Sequence, residues 1–237
     1  SAHGRLELTG TRADVQVRVE AAELDIRARH HSLPLPLAFT GGRVHYDESS
    51  LALEEVDVRL GESRLQRLRA VLELQAPHRL HASAPAAEID LAEAFQLLSA
   101  AGAVSRLQSL KGTVRLQPWE VSTTLAAPES VEFDGAGQVR DLLLTSELLP
   151  DMVSVASAAW TGRGKRIQAE TRAMSMGPTR VEALSGVFDW SDVPRIELSR
   201  GALFLAVDHL NWFLAPQVGL HTRIGPLEPL SGVLVFN

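Results

Sequence analysis

Residues 14–20 alternate strictly between polar and apolar, with Val15, Val17 and Val19 at every second position. A period of two predicts a half-buried strand with these three valines on one face. Leu24, Ile26 and Ala28 carry the alternation onward. Pro34 and Pro36 then interrupt it, and two lost ladder donors exclude a central strand over residues 30–36. Gly41-Gly42 reads as a turn leading into Arg43-Val44-His45-Tyr46, and residues 47–50 as a polar turn. Strands are predicted next over Leu51-Ala52-Leu53, over residues 56–60 with Val58 inward, and over residues 79–82.

One stretch occurs twice. Gly61, Ser63, Arg64 and Leu65 open the first copy, and Gly177, Thr179, Arg180 and Val181 open the second. Each runs on as a strand, with Leu68, Ala70, Leu72 and Leu74 on one face, or Leu184, Gly186, Phe188 and Trp190 on the matching face. Val71 and Val187 share a place on the other face. Between Leu65 and Leu68, and again between Val181 and Leu184, the apolar positions change parity. One residue too many for a flat strand predicts a bulge or bend in both copies.

A helix signal follows each copy. Asp90 caps Leu91, Ala94, Phe95 and Leu98 at helical spacing, with Gly102 as a stop; Asp208 caps Leu210, Trp212, Phe213 and Leu214 before Pro216. A new strand comes after each, with Gly112, Val114 and Leu116 in one copy and Gly232, Leu234 and Phe236 in the other. Gly61, Asp90 and Gly112 therefore align in order with Gly177, Asp208 and Gly232, which is the signature of a repeat.

The joining region holds short strands over residues 131–133, 138–139 and 153–155. Gly135-Ala136-Gly137 and Gly162-Arg163-Gly164-Lys165 read as turns, and residues 142–149 fit either a helix or a strand. No flexible linker divides the halves. The expected fold is mainly β: a curved, twisted antiparallel sheet of two continuous repeats, 1–116 and 117–237, with two short helices.

Such a sheet has more apolar face than its helices cover. About a dozen strands with three inward residues each, at roughly 30 Å² per residue, present on the order of 1,100 Å². Two helices of roughly 12 residues cover about 360 Å². The remainder must fold on itself as a sandwich or barrel, or stay open as a groove for apolar ligands.

Composition narrows the function classes. The net charge is -6, with Lys and Arg interspersed among Asp and Glu, and this argues against a nucleic-acid partner. The chain has no cysteine, hence neither disulfides nor thiolate chemistry. No apolar run approaches the roughly 20 residues of a membrane span. Strand-like text lies near both ends, at Arg5-Leu6-Glu7-Leu8 and Val233-Leu234-Val235-Phe236, so a section of a longer repetitive protein is expected.

No catalytic, cofactor or metal constellation stands out. The glycine clusters match neither a dinucleotide fingerprint nor a phosphate loop. His78 and His81, three apart on a strand, point to opposite faces, and His30-His31 reads as a solvated loop. Asp90 and Asp208 read as helix caps, and Arg64, Arg67 and Arg69 as a solvated outer face. Trp190 and Trp212 read as core, with groove lining as the alternative.

Gly42-Arg43-Val44-His45-Tyr46-Asp47, Leu51-Ala52-Leu53, Val58-Arg59-Leu60-Gly61-Glu62-Ser63, Ile89-Asp90-Leu91 and Leu110-Lys111-Gly112-Thr113-Val114 together resemble the AsmA-like family of repetitive envelope proteins. The resemblance spans most of the chain in two copies and rests on spacing and residue type. It implies a taco-like groove with an apolar interior, similar in design to bridge-like lipid transfer proteins. It also implies anchorage in the inner membrane of a diderm bacterium, projection through the periplasm, and a link to phospholipid passage and outer-membrane integrity. The chain departs from the family pattern in lacking the N-terminal membrane helix.

The expectation is thus a non-enzymatic periplasmic section whose partners are phospholipid, adjoining β repeats and envelope proteins. The candidate lining is Val15, Val17, Val19, Leu24, Ile26, Leu51, Leu53, Val58, Leu68, Leu72, Leu74, Val114, Leu116, Leu184, Phe188 and Leu234. The alternative is an assembly scaffold for outer-membrane biogenesis with a closed, dry β-core.

Overall fold

The computed structural model of the chain describes residues 3–11, 14–28, 35–100, 106–206, 209 and 234–236. They form a 14-stranded antiparallel sheet and one helix. The strands are β1 (His3–Thr11), β2 (Asp14–Ala28), β3 (Leu37–Tyr46), β4 (Ser50–Leu60), β5 (Ser63–Glu73), β6 (Arg79–Ala84) and β7 (Ala86–Asp90). Helix α1 (Leu91–Ala100) follows, then β8 (Leu107–Thr124), β9 (Ala127–Ser146), β10 (Val153–Arg163), β11 (Arg166–Met176), β12 (Thr179–Asp189), β13 (Arg195–Phe204) and β14 (Leu234–Phe236). The sheet is a meander, in which strands lie side by side in chain order. β6 and β7 act as one strand interrupted at Pro85, since both lie between β5 and β8. The interruption follows from the missing proline N–H.

The parity shift expected in two strands is present in every strand from β2 to β13, with β6 and β7 counted as one strand whose shift falls at Pro85. In β4, Leu53 pairs with Ala70 and Val56 with Leu68, leaving one extra residue at Glu55. In β5 the extra residue lies between Leu65 and Leu68. Inward positions step from Ala21 to Leu24 in β2 and from Phe39 to Val44 in β3. They step from Leu116 to Trp119 in β8, Val139 to Leu142 in β9, Val155 to Ala158 in β10, and Thr171 to Met174 in β11. Left-handed backbone marks several of these sites: Glu23 (φ 52), Glu55 (φ 53), Arg67 (φ 45), Asp141 (φ 50) and Ala183 (φ 50). Each extra residue bends its strand, and side-by-side bends make a crease across the sheet. The crease crosses β2 to β8, steps toward Gly112 and Asp141, and continues from β9 to β13. That step explains the repeated register shifts between β8 and β9.

The sheet also curves across its strands. Trp190 Nε1 donates a 2.8 Å hydrogen bond to the Val131 carbonyl, three strand steps away across the β10–β11 hairpin. Flat strands would put β9 and β12 about 14 Å apart, whereas an indole and its hydrogen bond span roughly 9 Å. Trp190 stacks on Phe188 at 5.3 Å, so the strand ends are drawn together over the face that carries Phe188.

Several expectations are corrected. Gly41-Gly42 is a bend inside β3, and residues 51–60 form one strand. Gly135-Ala136-Gly137 lies within β9 and is not a turn. A Cβ at Gly137 would meet the Trp160 indole, and one at Gly162 the Phe133 ring, so these glycines make room for aromatic side chains. Residues 142–146 are strand and 147–150 turn. The expected repeat boundary after Leu116 falls inside β8. One short helix is described rather than two, and the second, expected at residues 210–214, lies outside the described residues, as does residues 30–34 of the proline segment.

Candidate functional site

The register sorts the side chains into two faces. One face carries Leu51, Leu53, Val56, Val58 and Leu60 of β4, opposite Leu72, Ala70, Leu68, Leu65 and Ser63 of β5. The face runs on through Leu80, Ala82, Ala87 and Ile89, then through Val114, Leu116 and Val121. Phe133, Val139, Val155, Trp160, Ile167, Met174, Leu184 and Phe188 extend it, and Ile196 and Leu198 bring it to β13. The extra residue in each strand keeps this face apolar on both sides of the crease. The expected lining residues whose side chains are described have this parity: Val19 pairs with Tyr46, Leu24 and Ile26 follow along β2, and Leu74 follows Leu72, while the side chains of Val15, Val17 and Leu234 lie outside those described.

The opposite face is charged. Arg69 pairs with Glu55, Arg115 lies 3.0 Å from Glu88, and His81 lies 3.8 Å from Glu120. The Arg69 guanidinium holds the Glu55 carboxyl below its usual range. These pairs are exposed and each adds little stability. Open depressions of about 490 Å³ and 700 Å³ on this face are lined by mixed charges, including Glu55, Arg67 and Arg69 in one and Arg115, Arg140 and Glu170 in the other.

Among the described residues the apolar face has little cover. Beyond neighbours in the sheet, the only extensive contacts among the described elements join α1 to β7 and β8. No residue of α1 is buried. The buried apolar residues described are Leu24, Val56, Ala82, Ala84, Ala87, Val155 and Met176, most of them near the crease or a strand end. Toward the other end, Phe188 is 40% exposed, Leu198 58% and Ile196 71%. A two-sheet core would bury such positions.

Two clamps that the sequence pattern did not reveal hold one margin of the sheet. In the first, the Glu93 carboxylate accepts the N–H of Glu62 at 2.7 Å, the N–H of Ser63 at 2.9 Å and the Ser63 hydroxyl at 2.7 Å. Ser63 Oγ accepts the Asp90 N–H, and Asp90 Oδ1 caps α1 through Ala92 and Glu93. Burial pushes the Glu93 carboxyl up, but the hydrogen bonds from Ser63 and Glu62 outweigh it and lower the pKa. Gly61 turns the hairpin with φ 58, and a Cβ there would strike the Glu93 carboxylate.

In the second clamp Thr179 takes the place of Ser63. Its hydroxyl accepts the Ala206 N–H at 3.1 Å and lies 2.8 Å from His209 Nδ1, while His209 Nε2 lies 3.5 Å from Asp151. Gly177 repeats Gly61, with φ 52 and a Cβ position that would strike Asp151. The Thr–His–Asp set has the membership of a catalytic triad, but Thr179 is 2% exposed and its hydroxyl is engaged on both sides. Ser63 does the same work beside a carboxylate, so the copies share a clamp and not a nucleophile.

Among the described residues, no group of three or more His, Cys, Asp or Glu is placed to hold a metal ion, and no helix is long and apolar enough to cross a membrane. No protein-family model, curated protein or solved structure matches the chain.

Proposed function

We propose that this chain is a section of an AsmA-like envelope protein and that its apolar face carries phospholipid acyl chains through the periplasm, between inner and outer membranes. One observation supports the reading above others: a single creased sheet with a continuous apolar face that no described element packs against beyond α1. An acyl chain laid on such a face gains about 0.8 kcal/mol per CH₂ withdrawn from water. The face needs no reactive group for this and tolerates aliphatic exchange. Charges on the other face keep the section hydrated.

The alternative scaffold with a dry closed core calls for sheet-on-sheet packing, and the described residues offer none. The experiment is site-specific photo-crosslinking in cells. Probes at Leu72 and Phe188 should yield phospholipid adducts, while probes at Arg69 and Glu73, on the charged face, should not. Equal labelling of both faces would sink the proposal.

A further inference from the structure

The hairpin that joins β10 to β11 carries three cations in four residues, Arg163, Lys165 and Arg166, in a chain whose net charge is -6. Arg163 and Arg166 stand directly opposite each other in the ladder. Like charges so placed repel unless an anion lies between them. Among the described residues neither Arg163 nor Lys165 has an ion-pair partner. Asp134, next in register to Arg163, and Asp189, opposite Arg166, offset part of the charge, but the Asp189 carboxylate is already engaged by the Ser191 N–H and hydroxyl.

The turn itself adds donors. The Gly164 carbonyl accepts the Phe133 N–H at 2.8 Å, and the Lys165 carbonyl accepts the Trp190 N–H at 3.0 Å. The N–H groups of Gly164 and Lys165 have no acceptor among the described residues. With both carbonyls drawn into the sheet, the tip offers an approaching anion only donors and cations. Gly164 has φ 58 and nothing lies within 4 Å of its Cβ position, so the tip is open. It also stands where the apolar face ends. Ile167 pairs with Phe188, and two residues further Lys165 lies beside Trp190, whose ring stacks on Phe188.

We infer that this tip holds the phosphodiester of a phospholipid whose acyl chains lie on the apolar face beside Ile167 and Phe188. The inference rests on the reading of that face as an acyl-chain path and adds the place where the headgroup sits. The phosphodiester supplies the negative charge that the facing arginines lack, and it accepts from Lys165 and from the two turn N–H groups. Whatever lies beyond the phosphate stays in water, so the tip selects for phosphate and not for a headgroup type.

Native mass spectrometry of the delipidated full chain tests this, with dioleoylphosphatidylglycerol and dioleoylglycerol added separately from one neutral detergent. The probes share their acyl chains and differ in the phosphoglycerol. The parent chain should bind the phospholipid more tightly. Arg163→Gln with Lys165→Gln should weaken that binding roughly three- to thirty-fold. Unchanged dioleoylglycerol binding by the same variant shows that its fold and apolar face survive. Arg172→Gln, at an exposed cation elsewhere on β11, should change neither. Equal binding of the two lipids by the parent, or a double variant that loses both equally or neither, would overturn the headgroup site and leave the acyl-chain face in place. A parent chain that binds neither lipid would overturn both.

Discussion

Replacing Phe188 by Glu separates an open face from a closed core. Phe188 is 40% exposed, so three fifths of its surface is covered, and its ring stacks on Trp190 at 5.3 Å. Full burial of a phenylalanine is worth about 1.5–3 kcal/mol, so the lost transfer term is about 1–2 kcal/mol. The lost aromatic pair adds about 0.5–1.5 kcal/mol. On an open face the new carboxylate stays hydrated, and the total is about 2–3 kcal/mol. In a closed core the same substitution buries an unpaired charge, adding several kcal/mol and approaching the whole stability of a domain, about 5–15 kcal/mol. Urea titration gives the stability, and mass spectrometry of extracted protein gives the bound phospholipid. The expected variant is folded, about 2–3 kcal/mol less stable with unchanged m-value, and depleted in lipid. Gln168→Glu, exposed on the charged face opposite Thr161 and Val187, should change neither quantity appreciably. A Phe188→Glu chain that does not fold would refute the open face, and full lipid retention would refute acyl-chain contact there.

Other expectations follow from the clamps and the curvature. Glu93→Gln removes charge-assisted acceptors from Ser63 and Glu62 and should cost about 2 kcal/mol by urea titration at neutral pH. Because the folded pKa of Glu93 lies below its ordinary value, its stabilisation is present above the ordinary carboxylate range and lost as pH falls through the folded pKa. Urea midpoints measured from pH 7 to pH 3 should therefore fall less in Glu93→Gln than in the parent. Gly61→Ala should destabilise more than Gly164→Ala. Both glycines have φ 58, but a Cβ at Gly61 strikes Glu93 and one at Gly164 meets nothing within 4 Å. Trp190→Phe deletes the hydrogen bond to Val131 and should cost about 1 kcal/mol, with faster amide exchange at the β10–β11 hairpin.

The strands were legible because period-2 patterning is a local property and half-exposed strands preserve it. Val15, Val17 and Val19 could be assigned to one face without any knowledge of their neighbours. The extra residue between Leu65 and Leu68 was legible because a second copy repeated it. The same parity change is written at Ala21 to Leu24, Leu53 to Val56 and Val155 to Ala158, but without a matching copy it passes as continued alternation at the first and reads as a strand break at the other two. Gly41-Gly42 and Gly135-Ala136-Gly137 misled for a related reason. Glycine marks a backbone that needs freedom or space, and a crease needs these as much as a turn does. The clamps were out of reach, since the 30 residues between Ser63 and Glu93 leave no periodic trace. In the second copy an imidazole, His209, lies beside the hydroxyl in place of a carboxylate, and no periodic pattern announces it.

The crease accounts for how one sheet of this width keeps a single apolar face. Twist of roughly 20° at each of about twelve strand-to-strand steps would accumulate to some 240°, and open sheets rarely exceed about ten strands without curling or splitting. Splitting would close the apolar face against itself. An extra residue in each strand instead concentrates the bending along a line, where Val56 is wholly buried and Ala84 nearly so. Each insertion flips the inward parity, so the pattern must flip with it or the apolar set would emerge on the charged face. Every strand from β2 to β13 makes that compensation. Bending and one-sidedness are therefore specified together, residue by residue, and among the described residues the face so specified is covered only by α1.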